Sequence, residues 1–414
     1  MQMVKVSEVK FLENVYPRLE VDKATVALYQ LGLDSLPPIT VTQDGILVDG
    51  YHRLTAYRLE GKTEIPAEVV ECEDETVILI EAIRRNSTHG KQLTREEKKT
   101  MARRLCELGR DAANIGDLVA VPERTVREWT RDIREARDKE RDATILRLWL
   151  ACKTQEEIAE VLGVHVQTVK NVLAEYKNGS LAEIVPSSLQ LYDVWTFAQC
   201  DPQYGHGYPG RIPGQIVENV LYYYTQPFDA VVDPMAGSGT TVDVCKAMYR
   251  RYRAYDIRPT REDIGEWDVA KGLPKEAKGA NLIFLDPPYW SMKKDEYTPG
   301  SAADLDLQGF YAFIGNLARS CYENLAPNGV IAFLIQNQTG KQFSGKDFEG
   351  HDYLDHGFEC YGLFLNAGFH PVRRISVPIH TQTIHPQQVT KAKEDRRMLG
   401  LVRDLLIFRK GSAQ

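Results

Sequence analysis

Several things are scarce in this 414-residue chain, and each absence narrows what it can be. Its seven cysteines (72, 106, 152, 200, 245, 321 and 360) are scattered and never stand as a CxxC pair. That argues against a zinc site or a disulfide framework and for reduced thiols in a cytoplasm. No apolar run approaches the roughly 18 residues of a membrane span. The opening MQMVKVSEVKF shows no basic-then-apolar signal pattern. Positive charge is not in excess either: the formal net charge is −7. Any contact with nucleic acid therefore has to come from a local basic face. The remainder, 43% hydrophobic and 26% charged, is an ordinary globular composition, long enough for two or three domains.

Along the chain the pattern changes twice. Residues 36 to 70 alternate short strands with one helix: LPPITVT, the turn Gln43-Asp44-Gly45, ILVDG, the helical HRLTAYRLEG, then IPAEVVE. A charged helical stretch follows, broken at Asn86-Ser87-Thr88-His89-Gly90, with Thr94-Arg95-Glu96-Glu97 reading as a capping box. Two helix-turn-helix patterns come next, residues 115 to 133 and 154 to 173. The second has Gly163 at its turn, whereas the first has Ala120 where glycine is usual. Arg124, Arg127, Arg131 and Arg134 recur at three- and four-residue steps, which predicts one basic helix face, though Glu128, Asp132 and Glu135 are interleaved. DNA-binding candidates are Arg124, Arg127 and Arg131 on the first unit and Gln167 and Lys170 on the second. A linker is predicted near 178 to 190. Beyond it strands alternate with helices, which predicts a mostly parallel, doubly wound α/β sheet.

Two stretches of that last region carry chemistry. Strand FDAVVDP runs into Asp233-Pro234-Met235-Ala236-Gly237-Ser238-Gly239-Thr240-Thr241. This is not a P-loop, because no lysine follows the second glycine. Glycines at a helix start let backbone approach a ligand closely. The next strand, YRAYDI, ends in Asp256, where a doubly wound fold grips ribose hydroxyls. Loop and acid together point to a nucleoside-bearing cofactor. The second stretch is LIFLDPPYW, a buried-looking strand that stops at Asp286-Pro287-Pro288-Tyr289. Two prolines cannot continue a sheet.

The pair of motifs resembles the DNA amino-methyltransferases, which use S-adenosylmethionine to methylate adenine N6 or cytosine N4. The resemblance covers about 200 to 410. Upstream, Pro209, Pro213, Tyr224-Thr225 and Asp229 fit the segment that leads into the glycine loop, while Ile212 stands where the family often has lysine. The resemblance implies a cofactor site at Asp233 to Thr241, Asp256, Asp268 and Pro213, and a catalytic corner at Asp286, Pro287, Pro288 and Tyr289. Aspartate as the first residue of that corner leans towards adenine N6, since serine is more usual for cytosine N4. Asp286 and the Pro287 carbonyl would each accept one N–H of the amine and aim its lone pair, and Tyr289 would stack on a base flipped out of duplex DNA. Residues 291 to 308 are expected to form a lid, and no long sequence-reading insertion is evident.

Residues 36 to 110 resemble the ParB N-terminal family, with Asp49-Gly50-Tyr51-His52-Arg53 as the central box. The resemblance implies a candidate nucleotide site at Gly50, His52 and Arg53. Sulfiredoxin, a relative, has its catalytic cysteine where this chain has Tyr51, so redox activity is not expected. The expected organisation is a ParB-like α+β domain (1–92), a helical DNA-binding region with two helix-turn-helix units (93–180) and a Rossmann-like methyltransferase domain (190–414). The expected partners are double-stranded DNA, a nucleotide and a second copy of the chain, with no metal and no membrane.

Overall fold

The structure, a computed structural model, describes residues 1–18, 20–88, 93–180, 184–197, 199–205, 211–288, 305–339, 353–379, 385–396 and 398–411. Its contacts divide it into two units, Met1–Arg141 and Asp142–Gln414.

In the first unit four short strands, β1 (Gln2–Lys5), β2 (Ile39–Thr42), β3 (Leu47–Asp49) and β4 (Glu64–Val70), form a sheet in the order β1-β4-β2-β3. Helices α1 (Lys23–Gln30) and α2 (Tyr51–Leu59) accompany it, and Ile39, Val41, Leu47, Leu54, Ile65 and Ala67 fill the core. Four more helices follow: α3 (Glu75–Thr88), α4 (Arg95–Glu107), α5 (Ala112–Val119) and α6 (Glu123–Trp129). The Thr94/Glu97 capping box opens α4, with both reciprocal bonds made. The predicted break does not begin at Asn86, since α3 runs on to Thr88, and His89 and Gly90 lie outside the described residues. Asn86 is buried in the last turns of α3, donates to the Ala82 carbonyl and accepts from Arg18 Nε.

The first helix-turn-helix is built despite its missing glycine. Ala120 closes α5 in the left-handed conformation, φ 53° and ψ 58°. An L-residue with a Cβ is strained there. Ala120→Gly is therefore expected to stabilise this unit by about 0.5–1 kcal/mol. Urea denaturation measures this, and an unchanged or lower midpoint would refute the strain.

The arginine face is interrupted. Thr130 ends α6 with φ −113°, its hydroxyl donating to the Val126 carbonyl, and α7 (Arg131–Leu150) starts afresh. Arg124 and Arg127 thus belong to α6, and Arg131 and Arg134 to α7. They stand on two helices and not on one continuous helix face, with the turn at Thr130 between them.

The division between units falls inside α7, so the second helix-turn-helix, α8 (Gln155–Leu162) and α9 (Val166–Glu175), groups with the C-terminal unit. A capping box at Thr154/Glu157 opens α8, and left-handed Gly163 (φ 61°) closes it. In this unit Arg251 lies over the Trp149 ring at 4.0 Å, and Phe228 meets the same ring edge-on. The predicted linker is not free over its whole length: Ser188 and Gln190 bond Glu218 and Asn219 of α10 (Gly214–Tyr224).

The large sheet comprises β5 (Ala230–Asp233), β6 (Arg251–Asp256), β7 (Gly265–Glu266), β8 (Ala280–Leu285), β9 (Leu325–Gln336), β12 (Phe369–Pro378) and β13 (Val402–Lys410). A minor pair, β10 (Gln338–Thr339) and β11 (Tyr353–Leu354), stands apart. The order is β12-β13-β9-β8-β5-β6-β7, and only β13 runs against its neighbours. Alternate residues serve two cores. Val231, Leu282 and Phe284 face α10 and α11 (Thr240–Ala247), while Val232, Ile283 and Leu285 face α12 (Leu307–Asn324) and α13 (His356–Asn366). A sheet covered on both faces needs apolar residues on both, which is why these strands read as continuous hydrophobic runs. One further helix, α14 (Pro386–Glu394), precedes β13. The fold is a doubly wound, Rossmann-like α/β unit.

Candidate active site

The chain leaves β5 outward to β6 and β7, then returns to build β8 and β9 on the other side of β5. The strand order therefore reverses between β5 and β8, and ligands of doubly wound sheets bind at the carboxyl ends of the strands at such a point. Asp233 ends β5 and Asp286 follows β8, so both predicted motifs meet there. Register pairs Val231 with Leu282 and Val232 with Ile283, which carries the two chain exits to the same edge.

Asp233 is buried, and its Oδ1 accepts from the Met235 N–H at 3.0 Å, which turns the chain into the loop. Burial is the main force on its carboxyl. Bonds from Thr241 and Met235 oppose it, the charges of Asp286 and Asp256 add to it, and the pKa is raised to about 7. An acid whose pKa rises on folding costs stability as pH climbs from the unfolded value, about 3.9, to the folded one. Asp233→Asn is thus expected to remove part of the fall in stability between about pH 4 and pH 7. Melting curves of both proteins across that window test it; parallel curves would mean that Asp233 is ionised throughout.

Of the loop, Met235 and Gly237 keep partial exposure, whereas Pro234, Ala236, Ser238, Gly239, Thr240 and Thr241 are buried. The Gly237 N–H donates to Asp256 Oδ2 at 2.9 Å, and Asp256 Oδ1 accepts from the Arg258 N–H at 2.9 Å. Asp256 thus orders the loop from the neighbouring strand while keeping lone pairs for a further donor. Asp268 caps a short turn, accepting from the Ala270 N–H at 3.0 Å, with Lys271 3.5 Å away. Pro213 caps α10. Ile212, where lysine is common, is buried in the core of this unit, which accounts for its apolar character.

A clamp that sequence reading missed holds the loop. Arg261 donates to both oxygens of Asp243 (2.9 and 2.7 Å), to Asp263 (2.9 and 2.8 Å) and to the Ser238 carbonyl (3.2 Å). Lys246 adds a 2.6 Å bond to Asp263. Burial pushes the Asp263 carboxyl up, but the hydrogen bonds from Arg261 and Lys246 outweigh it and hold the pKa at about 2. Gly239 adopts φ 83°, and a Cβ there would lie 2.6 Å from Arg261 Nη1. Gly205 comes from upstream: its N–H donates to Asp243 Oδ2 at 2.9 Å, and a Cβ would meet Ser238 Oγ at 2.7 Å. Nothing in the sequence flagged Arg261, because no spacing rule links it to the loop.

At the second motif Pro287 is buried and Asp286 and Pro288 are half-buried. Tyr289 and residues 291 to 304 of the expected lid lie outside the described residues. S-adenosylmethionine fits this donor set: Asp256 and Asp268 can accept from hydroxyls and amines, and the α11 N-terminus offers backbone donors.

The remaining candidates lie elsewhere. Arg124, Arg127 and Arg131 are exposed, with Arg127 tied to Glu123 at 2.6 Å. Gln167 and Lys170 are exposed on α9, where Gln167 bonds Asn171. Gly50 is left-handed (φ 104°) before α2. His52 and Arg53 are engaged inside the first unit: His52 Nε2 accepts from the Asp22 N–H at 3.0 Å, and Arg53 bonds Asp49 and the Pro37 and Pro38 carbonyls. Those bonds give the box a structural role.

Residues 127–266 match the family model N6_N4_Mtase, described as DNA methylase. The match takes in the glycine loop and Asp256 and ends before Asp286. The Type II methyltransferase M.BglII of Bacillus subtilis is 30% identical over 86 residues, 20% of this chain. The chain spans about a quarter of that relative's length (24%). A SAM-dependent methyltransferase structure from Archaeoglobus fulgidus has a TM-score of 0.30 at 15% identity, covering 48% of this chain and 94% of its own. The C-terminally truncated ParB of Caulobacter crescentus, complexed to parS, has a TM-score of 0.26 at 16% identity, covering 42% of this chain and all (100%) of its own. Scores this low leave the fold to be argued from the sheet topology itself.

Proposed function

We propose that the chain is an S-adenosylmethionine-dependent DNA methyltransferase acting on an exocyclic amine, with adenine N6 as its target. The observation that carries this reading is the meeting of two motifs at one switch point: the glycine loop leaves β5, and Asp286-Pro287-Pro288 leaves the adjacent β8. The DNA methylase family match over residues 127–266 supports it.

An exocyclic amine is a poor nucleophile because its lone pair is delocalised into the ring. Asp286 accepts one N–H and the Pro287 carbonyl the other, so the nitrogen turns its lone pair to one side. The prolines carry no N–H that would compete, and burial of Pro287 fixes the carbonyl. The cofactor, when bound, supplies an electrophilic methyl group. Asp286 need not be a strong base, because the amine acidifies as it is methylated. The base has to leave the duplex to reach a recessed strand end, so the substrate is flipped DNA. The helix-turn-helix units, through Arg124, Arg127, Gln167 and Lys170, supply the DNA contacts in this reading.

Transfer of a labelled methyl group from S-adenosylmethionine to unmethylated duplex DNA tests the proposal, with RNA in parallel. Label in DNA alone supports it; label in RNA alone would overturn the substrate assignment.

A further inference from the structure

Between α4, α5, α6 and α7 of the first unit lies an open cleft of about 440 Å³, lined by Arg110, Arg127, Arg134 and Arg137 together with Asp111 and Glu123. Four guanidiniums face two carboxylates, and neither carboxylate neutralises the set. Glu123 pairs with Arg127, and Asp111 Oδ1 is taken by the Asn114 N–H. Arg137 donates one Nη to the Cys106 carbonyl and Arg134 one Nη to the Arg127 carbonyl, so most of their donors stay uncommitted. Arg134 Nε is buried and has no hydrogen-bond partner among the described residues. Arg110 is exposed at the rim, and its side chain makes no hydrogen bond among the described residues. A protein of net charge −7 gathers these four cations around one hollow without a matching set of acids.

The lining defines the ligand. Arginine forks match the oxygens of a phosphate group two at a time, which lysines do not. No aromatic ring lines the cleft, so nothing there stacks on a base. The first turn of α5, with Ala112 and Ala113 on the wall, adds backbone donors of the kind anions accept.

We infer that this cleft binds a phosphate group. The group is either part of a DNA backbone held by the first helix-turn-helix, which rests on the DNA-methylating reading above, or a free phosphate compound, which does not.

The test is calorimetric titration of the full chain with inorganic pyrophosphate at constant ionic strength, for the wild type and Arg110→Gln. The Arg110 side chain makes no hydrogen bond among the described residues, and its backbone bond to the Leu105 carbonyl survives substitution, so the variant is expected to melt at the wild-type temperature. Saturable binding weakened at least about fivefold by the variant supports the site. No binding by the wild type, or equal binding by both, overturns it. The salt dependence of duplex DNA binding then identifies the source. A slope smaller by about one in Arg110→Gln assigns the phosphate to the DNA backbone, and an unchanged slope assigns it to a free ligand. Neither readout involves methyl transfer, so failure of the methyltransferase reading would leave both intact.

Discussion

Asp286→Ala is expected to lower the rate of methyl transfer by about 10²–10³-fold while leaving cofactor affinity within about twofold of wild type. The size follows from the role. In the proposed mechanism Asp286 is one of two acceptors that orient the amine, and an orienting group that acts in the transition state lowers kcat and kcat/KM together when it is removed. The glycine loop, the proposed cofactor site, is held by hydrogen bonds to Asp233, Asp256 and Arg261. Loss of the Asp286 charge also relieves Asp233, whose carboxyl Asp286 helps to push up. Asp286→Asn keeps the shape and an acceptor oxygen, so it should retain more activity than alanine. Single-turnover kinetics with cofactor calorimetry measure both quantities, and near-normal turnover of the alanine variant would refute the assignment.

Arg261→Ala should show the opposite division. Its guanidinium joins Asp243, Asp263 and the Ser238 carbonyl, so its loss frees the glycine loop, leaves Asp263 paired with Lys246 and leaves Asp243 with no ion pair among the described residues. Removing one partner of a fully buried pair costs about 3–5 kcal/mol. With a quarter of the Arg261 side chain exposed, the cost here is about 1–3 kcal/mol once solvent screening is counted. The KM for S-adenosylmethionine is expected to rise about tenfold with kcat little changed, as for a residue acting on ground and transition states alike. Arg261→Lys should recover part of the stability through its charge but less of the affinity, because lysine cannot form the bidentate bond to Asp243. A melting-temperature loss with unchanged KM would leave Arg261 a purely structural role.

Strands β5 and β8 were readable because they are buried on both faces and so are largely apolar, as FDAVVDP and LIFLDPP show; YRAYDI, which became β6, buries only alternate residues. Strand β12 was missed, since its His370-Pro371-Val372-Arg373-Arg374 run is polar and lies at the sheet edge. The capping box at Thr94 was legible because four consecutive residues hold the whole device, whereas the same device at Thr154 emerged only with the structure. Thr130 was not, because a side chain bonding its own helix looks like any other helical position. The glycine loop and Asp286 were visible as motifs. Arg261, Asp243 and Gly205 were not, because they meet only when the chain has folded, and their spacing of 56 residues from Gly205 to Arg261 repeats no local pattern. The second helix-turn-helix read as part of a separate DNA-binding region, yet it packs with the C-terminal unit through Trp149 and Arg251, a contact that composition does not announce.

The most direct test of the central claim is nucleoside mass spectrometry of unmethylated duplex DNA after incubation with the protein and S-adenosylmethionine. The account predicts N6-methyladenine, absent from the Asp286→Ala sample. N4-methylcytosine would keep the acceptor mechanism and contradict the choice of base. Unmodified DNA from a protein that still binds the cofactor would contradict the claim that the β5–β8 switch point is a DNA-methylating site.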